Sequence, residues 1–257
     1  MKDTQIKLIQ SVQRAIDILN CFNESTHYLS INTISQNLNL NINTTRGLIN
    51  TLLHNGLLIH DKSTGLYSLG FYFIGKAEII QKQVDNYIAI AKTHVNNIAE
   101  KYHISSSFQL VNQNQIYSIY CAYPNNTAYT ISLSQYTTLP LYATSSGKLL
   151  MLYNLLPNNT DLLNNISFQQ YTPYTINTRK KLLQNLKQIQ ANSYACEIEE
   201  FQLGVGSMAV PILTQKDQLV ASVSATFFVN AFDNIQDSLL KDLQHIAEII
   251  SQKLFNK

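Results

Sequence analysis

Apolar residues recur at helical spacing in Ser11–Phe22 (SVQRAIDILNCF), where Val12, Ala15, Ile16, Leu19 and Phe22 fall on one side. A second periodic run, Ile31–Leu38, follows Ser30, a residue type that caps helices by accepting from their first free N–H groups. The short connection Asn39-Leu40-Asn41 leads to a third run, Ile42–Asn55, with Leu48, Ile49, Leu52 and Leu53 as its apolar face. Gly56 stands where a C-terminal cap needs left-handed backbone. Two strand-like pieces, Leu57–His60 and Leu66–Leu69, flank the turn residues Asp61-Lys62-Ser63-Thr64-Gly65. Three helices followed by a β-hairpin, in that order, predict a winged helix-turn-helix.

Phe71–Gln83 reads as a connecting helix, with Phe73, Ile74, Ala77, Ile80 and Val84 on one side, and Asn86–Tyr102 as a second amphipathic helix. Beyond Ser105 the pattern changes. Ser107–Val111, Gln115–Tyr120, Ala128–Leu133, Tyr194–Ile198, Ser207–Leu213 and Leu219–Phe228 read as strands. Gly147–Leu156 and Thr178–Ala191 read as helices, and Asp233 as the cap of a closing helix through Phe255. Strands and helices mixed around one sheet predict an α+β domain. The expected division is a winged helix-turn-helix over 1–70, a linker helix over 71–84 and a second domain over 85–257.

Composition narrows the class. At 45% hydrophobic the chain of 257 residues has material for a real core. No apolar run reaches the roughly 18 residues of a membrane span, and the polar start MKDTQIKLIQ lacks a signal peptide's apolar stretch. A cytoplasmic protein without a membrane partner is expected. Cys21, Cys121 and Cys196 lie far apart, which disfavours zinc ribbons and disulfide frameworks. Eighteen basic and sixteen acidic residues nearly balance, so net charge alone does not identify a nucleic-acid binder. Gly147-Lys148 resembles part of a P-loop, but Tyr142 and Leu149 occupy the positions of its first glycine and its Ser/Thr. Six scattered histidines show no metal-ligand spacing. Ser145 or Cys196 would act as a nucleophile only beside a histidine, and no spacing supplies one. Neither an enzyme, a metal site nor a cofactor is expected.

Five stretches together resemble the IclR family of bacterial transcriptional regulators, over the chain from about Ser11 to its end. They are Ser11-Val12-Gln13-Arg14-Ala15; Thr51-Leu52 with Gly56-Leu57; Thr64 to Gly70 (TGLYSLG); Leu139 to Lys148 (LPLYATSSGK); and Tyr194-Ala195 with Glu199-Glu200, Gly204-Val205 and Ala209-Val210-Pro211. The resemblance implies a GAF-like effector domain, a homodimer formed through the winged-helix half, possible tetramers, and a response to small acids or aromatic metabolites. The expected partners are double-stranded DNA and a small-molecule effector.

A recognition helix enters the major groove and shows polar side chains to base edges. Opposite the apolar stripe of Ile42–Asn55 stand Asn43, Thr44, Arg46, Gly47 and Asn50. Arg46 suits guanine, Asn50 adenine, and Thr44 a phosphate or a thymine methyl. The competing reading is a solvated face of a structural helix. Arg14, Lys62 and Ser63 are candidate phosphate contacts, although a turn lysine is as readily only solvated. Two positions depart from the family pattern: Ile42 replaces a basic residue and Gly47 an arginine. Arg46 stands one position away, a rotation of about 100° around the helix.

For the effector, Ser146 and Gly147 offer backbone N–H groups at a helix start, a natural carboxylate site. The resemblance adds Glu197, Ser207, Ser224 and Thr226 as pocket residues. Ser207 replaces a common family cysteine and Glu197 a common aspartate. Ser224 and Thr226 alternate along one strand and so share a face; the bland alternative is that they are ordinary strand residues. A buried Glu197 repels an anionic ligand unless one of the two is protonated or water intervenes, or else it accepts a ligand hydroxyl. A small oxygen-rich acid fits this set, while a regulator without a ligand is the main alternative.

Overall fold

A computed structural model describes residues 8–23, 25–135, 140–155 and 161–255. Leu139 and Leu156, which bound two of the segments above, lie outside the described residues. Contacts divide the chain into a unit at 1–83 and a unit at 84–257. Among the described residues no helix is long and apolar enough to cross a membrane.

The first unit contains α1 (Gln10–Asn20), α2 (Ile31–Asn37), α3 (Ile42–His54), β1 (Leu58–Asp61) and β2 (Leu66–Leu69). Its caps follow the expected chemistry. The Ser30 hydroxyl accepts the Thr33 N–H at 3.1 Å, and the Asn41 carboxamide accepts the Asn43 N–H at 2.8 Å. Between α2 and α3 the chain turns at Asn39, whose φ is +51°, and the Ser35 hydroxyl ties the turn to the Leu40 carbonyl. Helix α3 stops at Gly56 (φ +71°), where the N–H groups of Gly56 and Leu57 return to the carbonyls of Leu53 and Leu52. Ile18, Phe22, Leu29, Ile34, Ile49, Leu52 and Leu58 form the core beneath. Strands β1 and β2 pair antiparallel, and Leu29 exchanges two backbone hydrogen bonds with Tyr67, fastening the hairpin to the helices.

The two helices expected at 71–83 and 86–102 are one helix, α4 (Tyr72–Tyr102), of 31 residues. No glycine or proline occurs between Lys76 and Tyr102, so nothing in the sequence interrupts the hydrogen-bond ladder at Asn86.

The second unit continues with β3 (Ser105–Asn112), β4 (Gln115–Ala122), α5 (Ser145–Leu155), α6 (Asp161–Asn164), α7 (Arg179–Asn192), β5 (Ala195–Ile198), β6 (Val205–Leu213), β7 (Leu219–Phe228), α8 (Val229–Phe232) and α9 (Gln236–Phe255). Its five strands form one antiparallel sheet in the order β4-β3-β7-β6-β5. Period-two alternation gives the sheet two unlike faces. One face carries Phe108, Met208, Val210, Ile212, Val223, Ala225 and Phe227, which pack with Val95, Ile98 and Ala99 of α4 and Leu239, Leu243 and Ile250 of α9. The other face is rich in hydroxyls and lies under α5, which packs against β4, β5, β6 and β7.

Two expectations are corrected. Ala128–Leu133 forms no strand. It is held by side chains instead: Ser105 donates to the Ile131 carbonyl, and the Tyr123 hydroxyl bonds both the carbonyl and the N–H of Leu133. Asp233 does not open the closing helix; it follows the short α8 as its C-terminal cap, and α9 begins at Gln236.

Candidate DNA-reading surface and ligand cavity

Helix α3 buries Thr45, Ile49 and Leu52 and leaves Asn43, Thr44, Arg46, Gly47 and Asn50 exposed. Thr45, a polar residue on the inward side, satisfies its hydroxyl by donating to the Asn41 carbonyl at 3.1 Å. Arg46 donates to the Asn43 carboxamide at 3.3 Å, so the two side chains stand together one turn apart. A Cβ placed on Gly47 would meet nothing within 4 Å, so no packing inside the unit demands glycine there.

The hairpin tip is ordered by Asp61. It accepts the N–H and hydroxyl of Ser63 at 2.8 and 2.6 Å and the hydroxyl of Thr64 at 2.9 Å. Those bonds, led by the Ser63 hydroxyl, lower the exposed carboxyl to about 2. Ser63 thus spends its N–H and hydroxyl proton inside the turn, whereas Lys62 is exposed. Arg14 lies half-buried on α1, beside a surface groove lined also by Gln10, Gln13 and Asp17.

In the second unit a cavity of about 130 Å³ opens between the hydroxyl-rich sheet face and the start of α5. Ser146, Glu197, Ser207, Ser224 and Thr226 all line it. Strand register brings the last four together: Glu197 faces Ser207, Ser207 faces Thr226, and Ser224 follows one pleat further along β7. Gly147 does not line it. A Cβ there would lie 2.5 Å from the Leu141 backbone, so this glycine permits close packing of α5 against the preceding turn.

Sequence reading missed several lining residues: Ser107, Gln109, Ser118, Thr144, Ser145 and the segment Ile131–Ser134. A signal existed for β3, where Ser105, Ser107 and Gln109 alternate with Ser106, Phe108 and Leu110. The carboxamide N–H₂ of Gln109 donates to both Ser107 and Ser224 at 2.7 Å, and its oxygen accepts from Ser222 at 2.8 Å. At the α5 end, the N–H groups of Ser146 and Gly147 precede the first intrahelical bond, from Lys148 N–H to the Thr144 carbonyl. The Ser146 side chain is 2% exposed, and no hydrogen bond to it occurs among the described residues.

Charge in the cavity comes from Glu197. Ser207 donates to one of its oxygens at 2.8 Å and the Glu200 N–H to the other at 3.0 Å. Lys148, fully buried, does not line the cavity; its ammonium pairs with Glu200. Burial outweighs the two hydrogen bonds and pushes the Glu197 carboxyl up to about 7 from an ordinary 4.5. Between those values the folded chain holds a proton that the unfolded chain has released. The stability contributed is therefore complete below about pH 4.5 and lost as pH rises to about 7, on the order of 3 kcal/mol in all. Glu197→Gln should flatten this dependence. Thermal unfolding at pH 5 and pH 8 measures it, and equal shifts in variant and wild type would contradict the assignment.

Comparison with known proteins agrees with this architecture. The family model for the bacterial transcriptional regulator IclR C-terminal region matches residues 82–252, and that for the IclR helix-turn-helix domain matches residues 11–62. The chain is 26% identical over 249 residues to the HTH-type transcriptional regulator XynR of Escherichia coli K12, covering 96% of this chain and 98% of that protein. A crystal structure of a putative IclR transcriptional regulator from Silicibacter sp. TM1040 superposes with a TM-score of 0.81 at 17% identity, over 95% of both chains. An IclR homologue from Microbacterium hydrocarbonoxydans, crystallised with 4-hydroxybenzoate, superposes with a TM-score of 0.70 at 17% identity, over 95% of this chain and 98% of that one. With a two-part match running from residue 11 to residue 252, the chain belongs to the IclR family of bacterial transcriptional regulators.

Proposed function

We propose that this regulator binds an inverted-repeat operator as a homodimer and that a small carboxylic acid in the α5 cavity changes its operator affinity. The exposure of Asn43, Thr44, Arg46 and Asn50 on a helix docked by its opposite side carries the DNA reading. Arg14 and Lys62 contribute phosphate contacts, and Ser63 shapes the tip that presents Lys62. Cations are few in this half, seven basic against five acidic residues over 1–82, so one copy alone holds DNA weakly. Two copies on two half-sites supply the missing affinity. The apolar, exposed Ile9 at the cap of α1 and Val12 and Ile16 on it, at spacings of three and four, and exposed Phe71, Ile74 and Ile80 support such pairing.

The carboxylate of the ligand sits at the start of α5 on the Ser146 N–H, where the helix dipole favours negative charge. That an IclR homologue from Microbacterium hydrocarbonoxydans is crystallised with 4-hydroxybenzoate supports a small acid as the kind of ligand. Such a ligand regulates only through different affinity for the DNA-competent and incompetent states. Footprinting of the full chain on operator selected from random DNA, with and without candidate acids, tests the reading. A two-fold symmetric footprint that weakens or strengthens with an acid is expected. A monomer on one asymmetric half-site, or acid binding that leaves DNA affinity unchanged, refutes it.

A further inference from the structure

Counting protons around the cavity says more about its ligand than its shape does. A serine hydroxyl owns one hydrogen and two lone pairs. Where Glu197 is ionised, above about pH 7, Ser207 donates its hydrogen to it, so the 2.8 Å contact between Ser145 and Ser207 uses the Ser145 hydrogen. Both hydrogens of this relay are spent, and the Ser145 oxygen faces the cavity as an acceptor only. The floor is ordered in the opposite sense. Gln109 donates to Ser107 and to Ser224, whose oxygens are 2.9 Å apart. That pair owns two hydrogens and one closes the contact between them. One is left over, and both residues line the cavity, so the floor presents a donor. Reversing the Gln109 carboxamide would turn both hydroxyls toward one oxygen and leave their mutual contact without a hydrogen.

We infer that the cavity selects a hydroxylated aliphatic monocarboxylic acid, with a hydroxyl donating to Ser145 and a neutral oxygen at the far end accepting from the Ser107–Ser224 pair, and that Gln109 is the positioning residue that fixes this order. The inference rests on the carboxylate reading of the α5 start. A second carboxylate is disfavoured at the floor because no lysine or arginine lines the cavity among the described residues. A flat aromatic acid strands the floor donor against a ring, and Phe201 is the one aromatic side chain among the described lining residues.

Calorimetric titration of the full chain at about pH 8.5, where Glu197 is ionised, with 2,3,4-trihydroxybutanoate, 3,4-dihydroxybutanoate, butanoate, malate and 4-hydroxybenzoate tests this. The trihydroxy acid is expected to bind at least about tenfold tighter than the acid lacking the 2-hydroxyl, because a site built around a hydroxyl rejects the analogue without one. Ser145→Ala should bring that ratio close to one, and Gln109→Leu should weaken the trihydroxy acid while leaving butanoate unchanged. Equal binding of butanoate and the trihydroxy acid, or tightest binding of malate or 4-hydroxybenzoate, overturns the inference but leaves the acid-sensing reading standing. If none of the five acids binds, both fall.

Discussion

Lys148→Met is expected to destabilise the C-terminal unit by about 3–5 kcal/mol, because it strands a buried carboxylate. The Lys148 ammonium is fully buried and pairs with Glu200, whose side chain is itself only 10% exposed. Methionine fills nearly the same volume, so lost packing is a minor part of the effect. With the cation gone, Glu200 keeps, among the described residues, only the distant Ile176 N–H at 3.5 Å for its second oxygen. The double change Lys148→Met with Glu200→Leu should recover most of the loss, since an apolar pair of similar size replaces a matched ion pair at little cost. The Glu200 backbone carbonyl, which accepts from Thr175 at 2.6 Å, is untouched by either change. Urea unfolding followed by circular dichroism measures both. A single variant within about 1 kcal/mol of wild type would mean that the pair is not isolated from water.

Arg46→Ala is expected to cost about 1–3 kcal/mol of operator binding at each half-site, or about 2–6 kcal/mol for a dimer. That corresponds to a loss of roughly 30-fold to more than 10,000-fold in affinity. Folding stability should change by less than about 0.5 kcal/mol, because Arg46 is exposed and its one hydrogen-bond partner, Asn43, is exposed as well. Arg46→Lys should restore only part of the affinity, since a point charge does not reproduce the guanidinium fork. Fluorescence anisotropy on a labelled operator reads these differences. Unchanged binding by the alanine variant would move base reading away from the centre of α3.

The winged-helix half was legible because its signals are local. Ser30, Asn41 and Gly56 act within three residues of themselves, and Ile49 and Leu52 mark an inward stripe without help from distant chain. The second unit was less legible where pairing is non-local. Tyr129, Ile131 and Leu133 alternate like a strand, but nothing in that alternation reveals whether a sheet edge is there to receive it. The structure holds this stretch with the hydroxyls of Ser105 and Tyr123 instead. The cavity was half read. Glu197, Ser207, Ser224 and Thr226 emerged through family likeness, whereas Ser145 and Gln109 acquire their importance from contacts across 62 and 115 residues of chain. The Lys148–Glu200 pair was invisible for the same reason, its partners standing 52 residues apart.

The unlike faces of the five-stranded sheet have a consequence for how such a sensor changes over time. The side of the sheet facing α4 and α9 has an apolar core of its own, so side chains that β3 and β7 show to the cavity can change without unpacking it. A serine-to-alanine or threonine-to-valine step there alters what is recognised without dismantling the scaffold. New metabolites are thereby within reach of single mutations, and a lineage can diversify its signals while keeping one architecture intact.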